Sequence, residues 1–353
     1  MGKLIVDFNP QPEEIRSASE VIFKEIFEKI DWSGHNVLTG VTSGKRLLIT
    51  DDLEIVGEAL DGCTPKEIGD INLSSKTTRP VLIGGRFPYC ANEQPELLKI
   101  LKKAKNTFVD FFKRNPNESE MRLISALVMM KVKSSIMPKA YFSDTQADTI
   151  ANGGAFKNGT NLGLFNQLDG FFKQIFASAE VKHIEITENA GNTYAEQVLE
   201  PEKAYEYVKK VVMEAPLSLK SETDVEVKVT QSVYDALEVY LSENSNSGAC
   251  CGLKLTPNVM TGVSNMTLYS KKIKPMPEWD KTIQKYQNDG TKYVKPHRII
   301  YTTNNNLTIT TLDKGSMQSL DFFYDRKDKK NYLDFAYHLD AVVVVESKVS
   351  AGY

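Results

Sequence analysis

The side chains able to do acid–base, nucleophilic or metal chemistry are scattered along the chain without a shared spacing. The four histidines, His35, His183, His297 and His338, form neither an HExxH nor an HxH pattern, so nothing in the sequence gathers them as metal ligands. Cys63, Cys90, Cys250 and Cys251 include an adjacent pair but no CxxC, and reduced thiols are the expectation. No GxSxG surrounds a serine, and the pairs Gly84-Gly85 and Gly153-Gly154 belong to no phosphate-cradling GxGxxG or GxxxxGK[ST] run, which leaves them as turns. Asp144 and Asp148 lack the rest of a DxDxDG cation loop, so a solvated turn is expected there. No catalytic residue, cofactor or metal site is expected, and the chain reads as a non-enzyme.

Elements that could position such groups must therefore be read for another purpose. The 353 residues carry 43 basic and 46 acidic side chains, a formal charge of -3, mixed along the chain with no polybasic arm or acidic tail. Dedicated nucleic-acid binding by charge is not expected from that balance. At 41% hydrophobic and 25% charged, the composition is that of a folded globular chain. Pro10, Pro12 and two glutamates interrupt the start before a signal-peptide core develops, and no apolar run approaches the ~18–20 residues that span a bilayer.

Pro12-Glu13-Glu14 opens a helical pattern in which Ile15, Ala18, Ile22, Ile26 and Ile30 recur at three- and four-residue spacing, predicting an amphipathic helix over 13–30. From 37 to 87, short β-prone pieces such as 46–50 and 80–83 alternate with glycines and charges, as in an extended hairpin. Residues 57–80 hold too few large apolar groups to build a core, so they are expected to be either mobile or ordered by a partner. A helix over 116–137 is expected to stop before Pro138, and Leu164, Phe165, Leu168, Phe171, Phe172, Ile175 and Phe176 predict another after Asn161. An α/β segment follows: helices near 201–213 and 231–243, strands at 225–229, around 267–273, 298–302 and 307–312, a short helix over 279–286 and two or three closing strands.

Taken in order, NPQPEEIRSASEVIFKEIFEKI, HNVLTGVTSGKRLLI, AYFSDTQAD, NLGLFNQLDGFFKQIF, ITENAGNTYAEQ, PMPEWDKTIQKYQNDGTKYVKPHRIIYTTNNNL and SLDFFYDRKDKKNYLDFAYHLDA resemble major capsid proteins of tailed bacteriophages, especially the crAss-like and other Bacteroidetes-infecting groups. The resemblance implies an α+β fold of the Hong Kong ninety-seven type. In that plan residues 1–36 are an N-terminal arm and 37–92 an extended loop. A peripheral domain with a spine helix at 116–137 takes 93–184 together with the C-terminal strands of 313–353, and 185–312 form an axial α/β domain.

The resemblance further implies a homo-oligomer of pentamers and hexamers in an icosahedral virion capsid, assembled in the host bacterial cytoplasm around double-stranded DNA held without sequence specificity. Scaffolding protein, portal and auxiliary capsid proteins are the implied partners, and no membrane. No long N-terminal scaffolding segment and no cross-linking lysine–asparagine pair is evident. Expected intersubunit contacts are Ile15, Ile22 and Ile26 on the arm, and Asn246, Gly248 and Gly252 in a loop near a symmetry axis. An encapsulin-type compartment shell has the same implied fold and differs in enclosing cargo enzymes. An α/β enzyme with an unrecognised site in 185–312 is the remaining reading.

Overall fold

The computed structural model describes residues 33–39, 46–50, 73–89, 131–132, 134–146, 160–244, 252–257, 264–311, 320–325 and 330–353. The helix expected over 13–30 and residues 116–130 of the helix expected over 116–137 lie outside the described residues.

Helix and sheet alternate from residue 182 onward. Strands β5 (Lys182–Ile184), β6 (Val225–Val229), β7 (Leu253–Pro257), β8 (Ser264–Leu268), β9 (Lys271–Pro275), β10 (Ile299–Thr303) and β14 (Val349–Gly352) form a seven-stranded mixed sheet in the order β5-β14-β10-β6-β9-β8-β7. Helices Pro201–Met213 and Gln231–Asn244 close one face. The first begins with Pro201 and Glu202, suited to the amino end of a helix dipole, and places Ala204, Val208, Val211 and Val212 in one buried stripe. Val225, Val227 and Val229 of β6 meet the core on that face together with Ile273 and Tyr301.

A second core lies on the other side of the sheet. Tyr141, Phe171, Phe172 and Trp279 pack there with Ile300, Val349 and Ala351. The same core reaches a five-stranded sheet of β1 (Asn36–Leu38), β11 (Leu307–Thr310), β13 (Lys330–Val343) and β12 (Leu320–Asp325), with β4 (Val81–Tyr89) also paired to β13. Strands β2 (Arg46–Thr50) and β3 (Leu73–Thr77) form a separate antiparallel pair, as an extended hairpin requires. The helix, strand and turn expectations between 201 and 244 and between 277 and 310 match the structure to within two or three residues.

Four local expectations need correction: the turn expected at Gly84-Gly85 is the middle of strand β4, paired with Ala336 and Phe335 of β13, and three more follow. The helix meant to stop before Pro138 runs through it over 134–142. An internal proline costs about 3 kcal/mol through its lost N–H and ring clash, but Ile136, Met137, Ala140, Tyr141 and Phe142 are all buried beyond or beside it. Burying side chains of this size contributes about 1.5–3 kcal/mol apiece, so packing wins.

The single helix expected after Asn161 is two pieces, a 3-10 turn Leu162–Leu164 and an α-helix Phe171–Ala177. Gly170 separates them because its backbone lies against residue 141, where an added Cβ would sit 2.8 Å from the Tyr141 carbonyl carbon, and its N–H donates to the Ser143 carbonyl at 2.8 Å. The strand expected around 267–273 is a hairpin, β8 and β9. Tyr269 and Ser270 take the turn at φ 47° and 67°, both in the left-handed region of a two-residue hairpin turn.

Candidate functional site

Two roots, at β1 and at β2–β4, border the segments 1–32 and 51–72. At the first root, β1 adds in parallel to β11, pairing Asn36 with Thr308, Val37 with Ile309 and Leu38 with Thr310. The Asn36 amide also donates to the Thr308 hydroxyl at 3.3 Å. Just before it, Ser33 accepts from Lys274 through its carbonyl at 2.8 Å, and His35 Nε2 lies 2.6 Å from the Tyr141 hydroxyl. The His35 ring also stacks on Phe171, with centroids 6.2 Å apart.

Gly34 lies between these contacts and directly over buried charge. An added Cβ would stand 2.3 Å from Glu226 Oε2 and 3.0 Å from Lys228 Nζ, and φ is +79°. Only glycine satisfies both the space and the backbone angle. Beneath it, Lys228 Nζ is 3.3 Å from Glu226 Oε2, and Lys272 Nζ is 3.3 Å from Glu226 Oε1. The Lys228 side chain is wholly out of solvent, and burial lowers its pKa to about 8 even though Glu226 favours the charged form. Burial, then the Glu226 charge, pushes the Tyr141 hydroxyl well above its ordinary value, so it stays protonated beside His35.

The second root is built differently. Lys76 reaches from β3 to Glu346 at 2.5 Å and to the Val343 carbonyl at 2.7 Å, while the Arg79 N–H donates to Asp340 Oδ2 at 2.7 Å. From there β4 runs antiparallel along β13 for nine residue pairs. Gly84 and Gly85 allow that approach because Cβ atoms there would meet the Phe335 carbonyl at 2.8 Å and its ring at 2.9 Å. Arg86 grips Asp334 with two 2.7 Å hydrogen bonds, and Phe87 stacks on Phe335 at 5.2 Å.

Of the residues singled out in the sequence as contacts, Ile15, Ile22, Ile26, Asn246 and Gly248 lie outside the described residues. Gly252 has φ +75°, and its carbonyl accepts the Tyr269 N–H at 2.9 Å. A Cβ would meet the Tyr269 ring at 2.4 Å, so this glycine shapes the seat of the hairpin turn. Missed by sequence reasoning were Gly34, His35, Glu226 and Lys228. The available signal was β6 itself, VEVKV, where two charges interrupt a strand that is buried at every position.

The histidines are held apart in separate structural roles. His297 is buried between the Gln197 carbonyl at 2.6 Å and the Ser232 hydroxyl at 3.0 Å, and burial lowers its pKa. His183 bonds the Ser178 carbonyl at 2.8 Å. Arg298, entirely enclosed, donates to Gln287 at 2.5 Å and to two carbonyls, and lies 4.4 Å from the Phe172 ring centroid. Burial lowers its pKa to about 9, while its hydrogen bonds and ring contacts use it as a pin between core and loop. Among the described residues no three of His, Cys, Asp and Glu gather as a metal could require, and no helix is long and apolar enough to cross a membrane.

A scan against protein-family models and a search of curated proteins find no match. Solved structures do match over nearly the whole chain. A chain of the satellite phage P4 procapsid with its size determination protein is 11% identical at a TM-score of 0.53, covering 95% of this chain and 98% of that one. The capsid of a native GTA particle aligns at 8% identity and TM-score 0.49, over 94% and 89% of the two chains. The capsid of Myoviridae phage XM1 aligns at 12% identity and TM-score 0.43, over 90% and 88%. These three solved neighbours are capsid or procapsid structures, and the likeness to the P4 procapsid chain shows a shared fold.

Proposed function

We propose that this chain is a major capsid protein of the Hong Kong ninety-seven fold, assembling as pentamers and hexamers into the icosahedral head of a tailed phage and enclosing double-stranded DNA. The observation that carries this reading is the likeness to the P4 procapsid chain, which extends over 95% of this chain and 98% of that one. The two roots support it physically. An arm and a loop leave the body from anchored strands, and such extensions let one subunit satisfy slightly different neighbours on a closed lattice.

In this reading residues 1–36 and 37–92 reach adjacent subunits, 93–184 with 313–353 form the peripheral domain, and 185–312 the axial domain. Ile15, Ile22 and Ile26 make arm contacts, and Asn246, Gly248 and Gly252 lie near a capsomer axis. A scaffolding protein and a portal complete assembly in the host cytoplasm.

The test is expression of the full chain with and without its scaffolding partner, followed by sizing and negative-stain microscopy. Closed particles or capsomer rings are expected. Nothing larger than a dimer under every condition would overturn the proposal, and closed particles filled with a cargo enzyme instead of DNA would replace it with a compartment shell.

A further inference from the structure

Residues 33–38 lie over strand β6 as a cover with little apolar hold on the body. Strand β1 is three residues long and ends its sheet, and among the described strands it pairs on one side only, in parallel, with β11. None of Asn36, Val37 and Leu38 is fully buried. Polar contacts seat the segment: the Ser33 carbonyl accepts from Lys274 at 2.8 Å, His35 Nε2 lies 2.6 Å from the Tyr141 hydroxyl, and the Asn36 amide reaches Thr308 at 3.3 Å.

Charge lies beneath the cover. Glu226 and Lys228, two apart on β6, share one face of the strand, and their side chains are 4% and 0% exposed. Their charged atoms approach to 3.3 Å, yet neither Glu226 Oε2 nor Lys228 Nζ makes a well-aligned hydrogen bond. An ion pair taken out of water recovers its lost hydration only when good geometry and further hydrogen bonds satisfy both partners. This pair lacks those bonds. Gly34 stands directly above it, since a Cβ there would sit 2.3 Å from Glu226 Oε2 and 3.0 Å from Lys228 Nζ. Lifting the segment would return both charges to water.

We propose that residues 33–38 are a separable cover that detaches from the body as a unit, and that the buried Lys228–Glu226 pair makes it separable by favouring the open state in which both charges are hydrated. Around Lys228 stand Glu226 and, at the rim, Asp224 from its own strand, Lys272 and Lys274 from β9, Tyr141 from helix 134–142 and His35 from the cover, while β10 sets the apolar Ile300 beside it. Lys272, half in solvent, holds the other Glu226 oxygen at 3.3 Å, so opening leaves the carboxylate a partner.

The sign of the pH dependence follows from Lys228. Its pKa is lowered to about 8 under the cover, chiefly by burial, while a lysine in water titrates near about 10.4. Between those values the open state binds more protons, and opening grows rarer as pH rises from 8. The proposal is independent of the capsid reading, and its failure leaves that reading untouched.

The Thr311 amide reports the opening, because it is buried and donates to the Leu38 carbonyl at 3.0 Å. In millisecond pulse-labelled hydrogen exchange of the full chain, corrected for intrinsic rates, Thr311 should exchange well ahead of the amides inside helix Gln231–Asn244. Equal protection of the two would overturn a separable cover. In E226Q/K228M, which keeps the side-chain shapes and removes both charges, Thr311 exchange should slow by at least about fivefold while the helix stays as it was. Unchanged or faster exchange would mean that the pair is indifferent to the cover or holds it down, and would overturn the proposal.

The native chain supplies a test that needs no variant to fold. Opening at Thr311 should be about tenfold rarer at pH 9.5 than at pH 8. K139M, which removes the other buried lysine with a pKa lowered to about 8, should keep that dependence. A flat native profile, or a dependence that vanishes in K139M, overturns the role of Lys228.

Discussion

The two cores lie on opposite faces of one sheet and are assembled in opposite ways. Among the described residues, the core under helices Pro201–Met213 and Gln231–Asn244 draws its buried members from residues 184 to 301. The core on the other face takes Ile83, then 132–142, 165–181, 276–283, 300–309 and finally 337–351. The first is a local module whose apolar stripes answer to neighbours close in sequence. The second is a junction, where segments distant in the chain meet. A mostly self-contained module can keep its shape while the junction loosens or shifts separately.

The largest expected effect separates the two directly. Trp279 is 1% exposed and touches Tyr141 and Phe172 at ring distances of 4.8 and 4.9 Å. Trp279→Ala should cost about 3–5 kcal/mol in chemical denaturation and raise hydrogen exchange at β1 and β4 along with it. Leu237→Ala, in the local core, should cost about 2–5 kcal/mol while leaving exchange at β1 and β4 near native until global unfolding. Equal loosening of those strands by both variants would remove the distinction between module and junction.

The same distinction explains what the sequence made legible. Helices 201–213 and 231–244 and strand Val225–Val229 follow from periodicity because their burial is decided by near neighbours. Proline 138 and the break at Gly170 were misread because both belong to the junction. There a distant packing partner outweighs a local stop signal at Pro138, and a backbone approach to Tyr141 interrupts a continuous apolar stripe at Gly170. Lys228 was hidden for a related reason. Its burial depends on Gly34, nearly two hundred residues earlier, and no spacing rule connects them.

Gly34 gives the next effect in size. In Gly34→Val the new side chain would collide with the Glu226 carboxylate and adopt a φ of +79° that β-branched residues resist. The expected cost is about 2–3 kcal/mol, from backbone strain and overpacking together. It should be confined to the arm root, with faster exchange at Asn36–Leu38 and earlier proteolysis before Ser33, while the helix-covered core keeps its protection. Particle yield should fall more than subunit stability. Unchanged exchange at β1 would mean that Gly34 does not clamp the arm.

The smallest effect is a pH dependence that belongs to the junction side. Lys228 and Lys139 both have pKa values lowered to about 8 in the folded chain, chiefly by burial. Unfolded lysines titrate near 10.4, so between these values the unfolded chain binds more protons and folding gains stability as pH rises. Buried tyrosines act in the opposite sense: burial raises the pKa of Tyr141, and takes that of Tyr337 to about 12. Their unfolded counterparts ionise near 10, and stability falls again beyond that point. The subunit should therefore gain on the order of 1–2 kcal/mol from pH 8 to about 9.5 and lose it above 10.

Lys228→Met removes the buried ammonium and should flatten the rise, but it strips Glu226 of one partner; Lys272 still holds the other oxygen at 3.3 Å. Denaturation midpoints from pH 7 to 10.5 for the native chain, Lys228→Met and Lys139→Met measure the two contributions separately. A native profile that declines steadily from pH 8 would mean that both lysines remain charged beneath their cover, and that water reaches the arm root.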